Sequence, residues 1–222
     1  MIKSLTLLTC CLGCFLLPAC AEKEATQVPE KTNTPEKIKD ITAVIKTSDG
    51  DIHVTLYASK TPVTVANFCN LAKRGYYKGS NFHRVIKGFV SQAGMHISGA
   101  RTPGYNIDNE TYTENPAIAE LKHSKAGMLS MARLPQKHTN GAQWYITHAP
   151  TSNLDGAYTV FGEVTEGLEI ALNLNIGTLI KDIDVTSDTT QLFKFQEKNV
   201  TQWNKTLDEK FRDLRPIEEN KE

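Results

Sequence analysis

From Ile41 onward the apolar residues recur at every second position in short runs broken by Gly, Pro, Asn and Thr, a period that few folds other than a β-sheet protein can use. In "ITAVIKTSDGDIHVTLY" the residues Ile41, Ala43 and Ile45 keep one phase and Ile52, Val54 and Leu56 another, about an Asp49-Gly50 turn, which predicts a hairpin. Further strands are expected at 81–86, 89–92, 127–132, 143–147 and 159–163. Helical spacing appears at "TPVTVANFCNLAKRGYY", with Thr61 as N-cap, Pro62 as first helical residue, Val65, Phe68 and Ala72 on one face, and Gly75 as the stop. A second helix is expected at 166–174, carrying Leu168, Ala171 and Leu172. Strands so outnumber helices that a barrel or sandwich with helices over its openings is predicted. In the tail "EKNVTQWNKTLDEKFRDLRP", Val200, Trp203, Leu207, Phe211 and Leu214 are spaced three, four, four and three apart, the stripe of an amphipathic helix. Asn199 with Gln202 fits a capping box and Pro216 a stop, and the flank of the chain's own barrel is the expected resting place of the stripe, with a partner or membrane surface as the alternative.

Formal net charge is zero and no long Lys/Arg run occurs, which removes the electrostatic footprint of a nucleic-acid binder. The one C-x-x-C, Cys11 to Cys14, falls inside the apolar N-terminal run and no H-E-x-x-H occurs, so neither metal nor cofactor is expected. Lys3 and the apolar run 5–17 form an export signal too short for a comfortable membrane span. The run ends in "LLPAC", which resembles the lipobox of bacterial lipoproteins, with the less usual Pro18 inside the box. That resemblance implies removal of 1–19, acylation of Cys20 and, because Ala21 rather than Asp follows, an outer-membrane anchor facing the periplasm. After cleavage Cys69 is the sole unmodified thiol and no internal disulfide can form. Residues 20–39 are rich in Glu, Lys, Thr and Pro and read as a flexible tether.

Within "NFHRVIKGFVSQAG", alternation places Phe82, Arg84 and Ile86 on one face and turns His83 to the other, as a satisfied core histidine. In "AQWYIT", Gln143, Tyr145 and Thr147 share a face while Trp144 and Ile146 point to the core. A cation, two amides and aromatic rings thus converge on an outer surface, with no nucleophile among them. Taken with "AGMLSMA", "TNGAQWYIT", "NLDGAYTVFGEV" and "PGYNIDNE", these stretches resemble the cyclophilin family of peptidyl-prolyl isomerases, from about Ile41 to Thr186.

The resemblance implies a mainly β fold, a closed eight-stranded antiparallel barrel capped by two α-helices, over 40–187, followed by an extension at 188–222 to which nothing carries over. It implies Arg84 as the catalytic residue and Gln92 as a binder of the peptide backbone. Phe89, Val90, Tyr145 and Leu154 match the proline pocket, Ala132 and Gln143 match groove positions, and Tyr158 stands where His is common. Asn153 replaces a usual aromatic, which bears on cyclosporin-type ligands, Arg133 replaces a usual Asn but still offers its backbone, and Met95 replaces a common Asp. The expected activity is isomerisation of X-Pro bonds in exported polypeptides by a monomer. A non-catalytic module holding proline segments, and a structural envelope lipoprotein that would leave Arg84 without purpose, are the alternatives.

Overall fold

The computed structural model describes residues 37–216. The expected signal segment, Cys20 and the expected tether up to residue 36 lie outside the described residues. Strands β1 (Ile41–Thr47) and β2 (Gly50–Leu56) form the first hairpin, with Ile41 opposite Leu56 and Thr47 opposite Gly50. The two-residue connection is therefore Ser48-Asp49, one position earlier than the turn expected from sequence. Gly50 opens β2 at φ +136°, a value that disfavours any other residue. Alternate residues Ile41, Ala43, Ile45, Ile52, Val54 and Leu56 are buried, as the two-fold pattern requires.

Helix α1 (Pro62–Lys73) follows. Thr61 does not cap it, because its hydroxyl donates back to the Tyr57 carbonyl at 3.1 Å. The free first-turn amides of Val63 and Thr64 donate instead to the Glu110 carboxylate, at 3.1 and 2.7 Å. Burial raises the Glu110 pKa, and these amide bonds act against that rise.

Six strands complete the sheet: β3 (Arg84–Ile86), β4 (Val90–Ala93), β5 (Met128–Met131), β6 (Trp144–Thr147), β7 (Val160–Glu166) and β8 (Ile180–Val185). Every pairing is antiparallel, in the order β3-β4-β6-β5-β7-β2-β1-β8. The sheet curls into a half-barrel, and the expected closed ladder is not formed among the described residues. The three-residue β3 is too short to ladder onto β8, and the two edges meet only ahead of it. There Asn81 bridges Leu179, and the Phe82 amide donates to the Thr178 carbonyl at 3.0 Å. Phe82 is consequently a core residue, not a neighbour of Arg84 on the outer face. Its ring meets Trp144 edge-on at 5.7 Å, beside Phe68 at 5.8 Å from the same indole. Helix α2 (Leu168–Asn173) packs beside β2.

After β8 come α3 (Thr190–Phe195), which sequence reading did not anticipate, and α4 (Glu197–Lys210). Trp203, Leu207 and Phe211 are buried, and Val200 and Leu214 pack partly against the same core. The helix begins two residues before the expected Asn199 cap and ends well before Pro216, because Phe211 is already extended at φ −129°, ψ 113°. Arg74, only 5% exposed, ties this segment to α1. Its guanidinium donates to Asn204 Oδ1 at 2.8 Å and to the Arg215 carbonyl at 2.5 Å, and pairs with Asp208. Among the described residues no helix is long and apolar enough to cross a membrane, and no cluster of three metal-ligating side chains occurs.

Candidate active site

One cross-strand row builds the site. Arg84 on β3 lies opposite Gln92 on β4, Gln92 opposite Tyr145 on β6, and Tyr145 opposite Ser130 on β5. Directly paired residues share a face, so these four side chains stand together on the outer surface. Their neighbours Ile146, Trp144, Leu129 and Met131 fill the inner one. A cavity of about 170 Å³ opens over this row, lined by Arg84, Phe89, Val90, Gln92, Ala132, Arg133, Tyr145, Leu154 and Tyr158. Every groove residue expected from sequence is therefore brought to one place except Gln143, which stands immediately behind Gln92.

The polar groups are linked in a line. Arg84 Nη1 donates to Gln92 Oε1 at 3.2 Å, Gln92 Nε2 to Gln143 Oε1 at 3.0 Å, and Gln143 Nε2 to the Arg101 carbonyl at 3.0 Å. Arg84 is exposed and lines the cavity, and its guanidinium carries donors beyond the one given to Gln92. Gly94 makes the close approach of β4 to β6 possible: it holds φ +99°, and a Cβ there would fall 2.3 Å from the Ala142 carbonyl oxygen and 2.6 Å from Gln143 Cα.

His83 departs from expectation. It is half-buried rather than part of the core, and its buried Nδ1 has no partner. Burial lowers its pKa, a hydrogen bond with Gln143 opposes this, and the nearby Arg101 and Arg84 add to the lowering. The segment before Arg84 is not yet strand, so two-fold alternation could not place it.

Arg133 does more than present its backbone. Its Nε donates to the Ala157 carbonyl at 2.6 Å, its Nη1 to the carbonyls of Leu134, Pro135 and Gln136 at 2.9, 2.9 and 3.2 Å, and its guanidinium lies 5.0 Å from the Tyr158 ring centroid. One cation thus gathers two loops at the pocket mouth. The Ala132 amide is already committed to the Gln143 carbonyl at 2.9 Å. Asn153 is exposed on the 3-10 turn Ser152–Leu154, so the rim carries no aromatic ring at that point.

Behind the pocket lies a network that sequence reading missed. His123, with a fully buried side chain, has Nδ1 2.9 Å from Asp155 Oδ1 and Nε2 3.0 Å from the Tyr145 hydroxyl and 3.1 Å from Ser130 Oγ. Asp155 Oδ1 also accepts from the His123 backbone amide at 2.7 Å, and with that oxygen as acceptor Nδ1 carries the proton and Nε2 is the acceptor. The Ser130 hydroxyl donates to the Thr159 carbonyl at 2.9 Å, which leaves Tyr145 as the donor to His123. Burial lowers the His123 pKa, with Asp155 opposing, and raises that of Tyr145. The signal available in the sequence was Tyr145 itself, a hydroxyl-bearing ring in the wall of the pocket. Burial also pushes the Cys69 thiol up to about 12, far from any thiolate chemistry.

Comparison with known proteins agrees with this geometry. Residues 42–195 match the family described as "Cyclophilin type peptidyl-prolyl cis-trans isomerase/CLD". The chain is 48% identical over 139 residues to peptidyl-prolyl cis-trans isomerase B of Bacillus subtilis, covering 62% of this chain and 92% of that one. It is 39% identical over 153 residues to a mouse protein named "Peptidylprolyl isomerase domain and WD repeat-containing protein 1", of which the match spans 23%, against 69% of this chain. Among solved structures it is similar to a cyclophilin type isomerase of Cryptosporidium parvum crystallised in the presence of the dipeptide Ala-Pro, with TM-score 0.56 and 33% identity over 66% of this chain and 99% of that one.

Proposed function

The chain belongs to the cyclophilin-type peptidyl-prolyl cis-trans isomerases, and from that premise we propose that Arg84 and the groove around it catalyse rotation of X-Pro bonds in exported polypeptides, on a monomer held to the cell envelope by lipid on Cys20. The observation that carries the catalytic part is the row Arg84, Gln92, Tyr145 beneath one cavity.

Rotating a peptide bond costs about 18–20 kcal/mol because amide resonance is lost at the midpoint. No covalent bond is exchanged, so a nucleophile would add nothing. At the midpoint the prolyl nitrogen regains its lone pair and becomes an acceptor that it is not in the planar ground state. Arg84 offers that nitrogen a donor of fixed charge, and Gln92 holds the guanidinium on the groove face. Such a bond forms only in the transition state, which is the condition for raising turnover.

A charge-assisted bond contributes about 1.5–3 kcal/mol. Bringing a reaction of tens of seconds to milliseconds needs roughly 5.5 kcal/mol, four factors of ten at 1.36 kcal/mol each. The rest is assigned to Phe89, Val90, Tyr145 and Leu154: the twisted amide is less dipolar than the planar one, and a partly dry pocket disfavours it less. Gln92 and the backbone near Ala132 and Arg133 hold one side of the bond while the other swings, with Gln143 and Tyr158 flanking.

The lipid anchor rests on "LLPAC" at 16–20 and the tether on the composition of 20–39, with the outer membrane facing the periplasm as the location. The decisive test is exchange spectroscopy of a short X-Pro peptide with and without the protein. Interconversion at the spontaneous rate would overturn the catalytic reading. For the anchor, Cys20→Ser is expected to leave an unlipidated precursor, and a mature, membrane-bound variant would refute it.

A further inference from the structure

We propose that the C-terminal extension is a positioning element of the isomerase groove, acting through the loop at 96–105; the proposal rests on the reading of Arg84 and Gln92 given above. The line of hydrogen bonds from Arg84 through Gln92 to Gln143 ends on the Arg101 carbonyl, so the outermost anchor of the groove amides is a backbone oxygen of that loop. A carbonyl holds an amide in place only as firmly as its own loop is held.

Inside the loop the hold is local: the His96 amide donates to the Ala100 carbonyl at 2.9 Å, the Gly99 amide to the His96 carbonyl at 2.8 Å and the Ser98 amide to His96 Nδ1 at 3.2 Å, and none of these bonds engages Arg101. Ile97 is 61% exposed, and Ser98, Gly99, Arg101 and Thr102 are exposed as well. Both of its ends rest on the extension as well as on the body of the domain, where the His96 ring also meets that of Tyr76 at 5.0 Å and the Tyr105 hydroxyl donates to Asn67 Oδ1 at 2.9 Å. At the first end the His96 ring lies 4.7 Å from the Phe211 ring and 3.5 Å through Nε2 from Asp213. At the second, Tyr105 stacks on Trp203 of α4, with centroids 5.6 Å apart and planes 11° from parallel. Between them Gly104, at φ +94°, lies flat under α4: a Cβ there would meet Lys210 Cδ at 2.3 Å and Thr206 Cγ2 at 3.1 Å. Arg74 fixes α4 to α1, so the brace is tied to the rigid body of the domain. The family match ends at residue 195, before α4 begins, so α4 lies outside the stretch that the match covers.

Trp203 is accordingly a positioning residue, separated from the reacting bond by Tyr105, Arg101, Gln143 and Gln92. The test uses the full chain, an X-Pro peptide and a double-mutant cycle. Trp203→Ala is expected to lower kcat/KM roughly three- to tenfold, the size of one net hydrogen bond's worth of positioning, while Trp203→Phe, which keeps a stacked ring, recovers it. In a Gln143→Ala background Trp203→Ala should cost nothing more, because the link it supports is already cut. A purely structural role would lower the melting temperature and give no such dependence on Gln143. Should Trp203→Ala fail to fold, Phe211→Leu keeps apolar area while removing the ring against His96, and the same cycle is run with it.

Losses that add in the double variant, or parental kcat/KM in a folded Trp203→Ala, would overturn the brace. Its failure is distinguishable from failure of the underlying reading: parental activity in Arg84→Ala removes both, whereas a dead Arg84→Ala beside additive Trp203 and Gln143 effects removes the brace alone.

Discussion

Replacing Tyr145 by Phe separates the two things this residue does. Its ring forms a wall of the groove and would remain, whereas the hydroxyl serves the buried network behind it. His123 Nε2 would lose the donor 3.0 Å away, and Ser130, 3.1 Å away, cannot substitute while its own proton goes to the Thr159 carbonyl. With the His123 side chain fully buried, no water replaces the missing donor. An unmet buried acceptor costs about 1–3 kcal/mol, and in a domain of this size each kcal/mol shifts the melting temperature by roughly 2–4 °C. We therefore expect Tyr145→Phe to melt about 2 to 12 °C lower by calorimetry, with kcat/KM for an X-Pro peptide within about threefold of the parent. A melting temperature at or above the parental value would refute the assignment of Tyr145 as the donor to His123. A loss of turnover exceeding tenfold would show that the hydroxyl acts in the groove.

Arg84→Ala should cut kcat/KM by about ten- to a hundredfold, the equivalent of one charge-assisted bond, and leave the melting temperature within a degree or two because Arg84 is exposed with a single 3.2 Å bond; equal turnover would sink its role. Burial lowers the pKa of His83, His96, His123 and His148 in the folded state, so on acidification the unfolded chain takes up protons first, and stability present above about pH 6.5 is lost as pH falls below it. The raised carboxyl of Glu110 opposes this alone, so melting temperature should fall between pH 7 and 5.5, and a flat or rising profile would contradict the histidine environments. Gly94→Ala should yield little folded protein, since both its φ of +99° and the 2.3 Å approach of a Cβ to the Ala142 carbonyl forbid a side chain; a soluble variant with parental melting would show that β4 and β6 can separate there.

The strands with strict alternation were legible because nothing interrupts their register. In β1, β2 and β6 the phase of Ile45, Ile52 and Trp144 is that of the pattern. Strand β8 went unread for a physical reason: its pairing with β1 shifts register at Lys46/Thr47, so Ile180 and Ile183, three apart, both point inward. The same limit misplaced Phe82 and His83, which precede β3 in irregular chain. At the site, the residues that line the cavity were readable from motifs, since each except Leu154, on its 3-10 turn, lies on or within two residues of a strand whose partners are fixed. The His123–Asp155 network and the anchorage of Gln143 on Arg101 were not, because both join loops far apart in sequence, and neither leaves a periodic trace.

The Glu110 carboxylate that closes the first turn of α1 has a bearing on how the chain reaches its native state. It comes from 46 and 47 residues further along than the amides it meets, and the helix has no local side-chain cap of its own. Twelve residues without a cap form a marginal helix in isolation. Helix α1 should thus remain largely unformed while the first hairpin zips, and consolidate only when the loop bearing Glu110 docks. Substitutions in its first turn are then expected to accelerate unfolding while leaving the refolding rate nearly untouched, so this helix would behave kinetically as a late bolt.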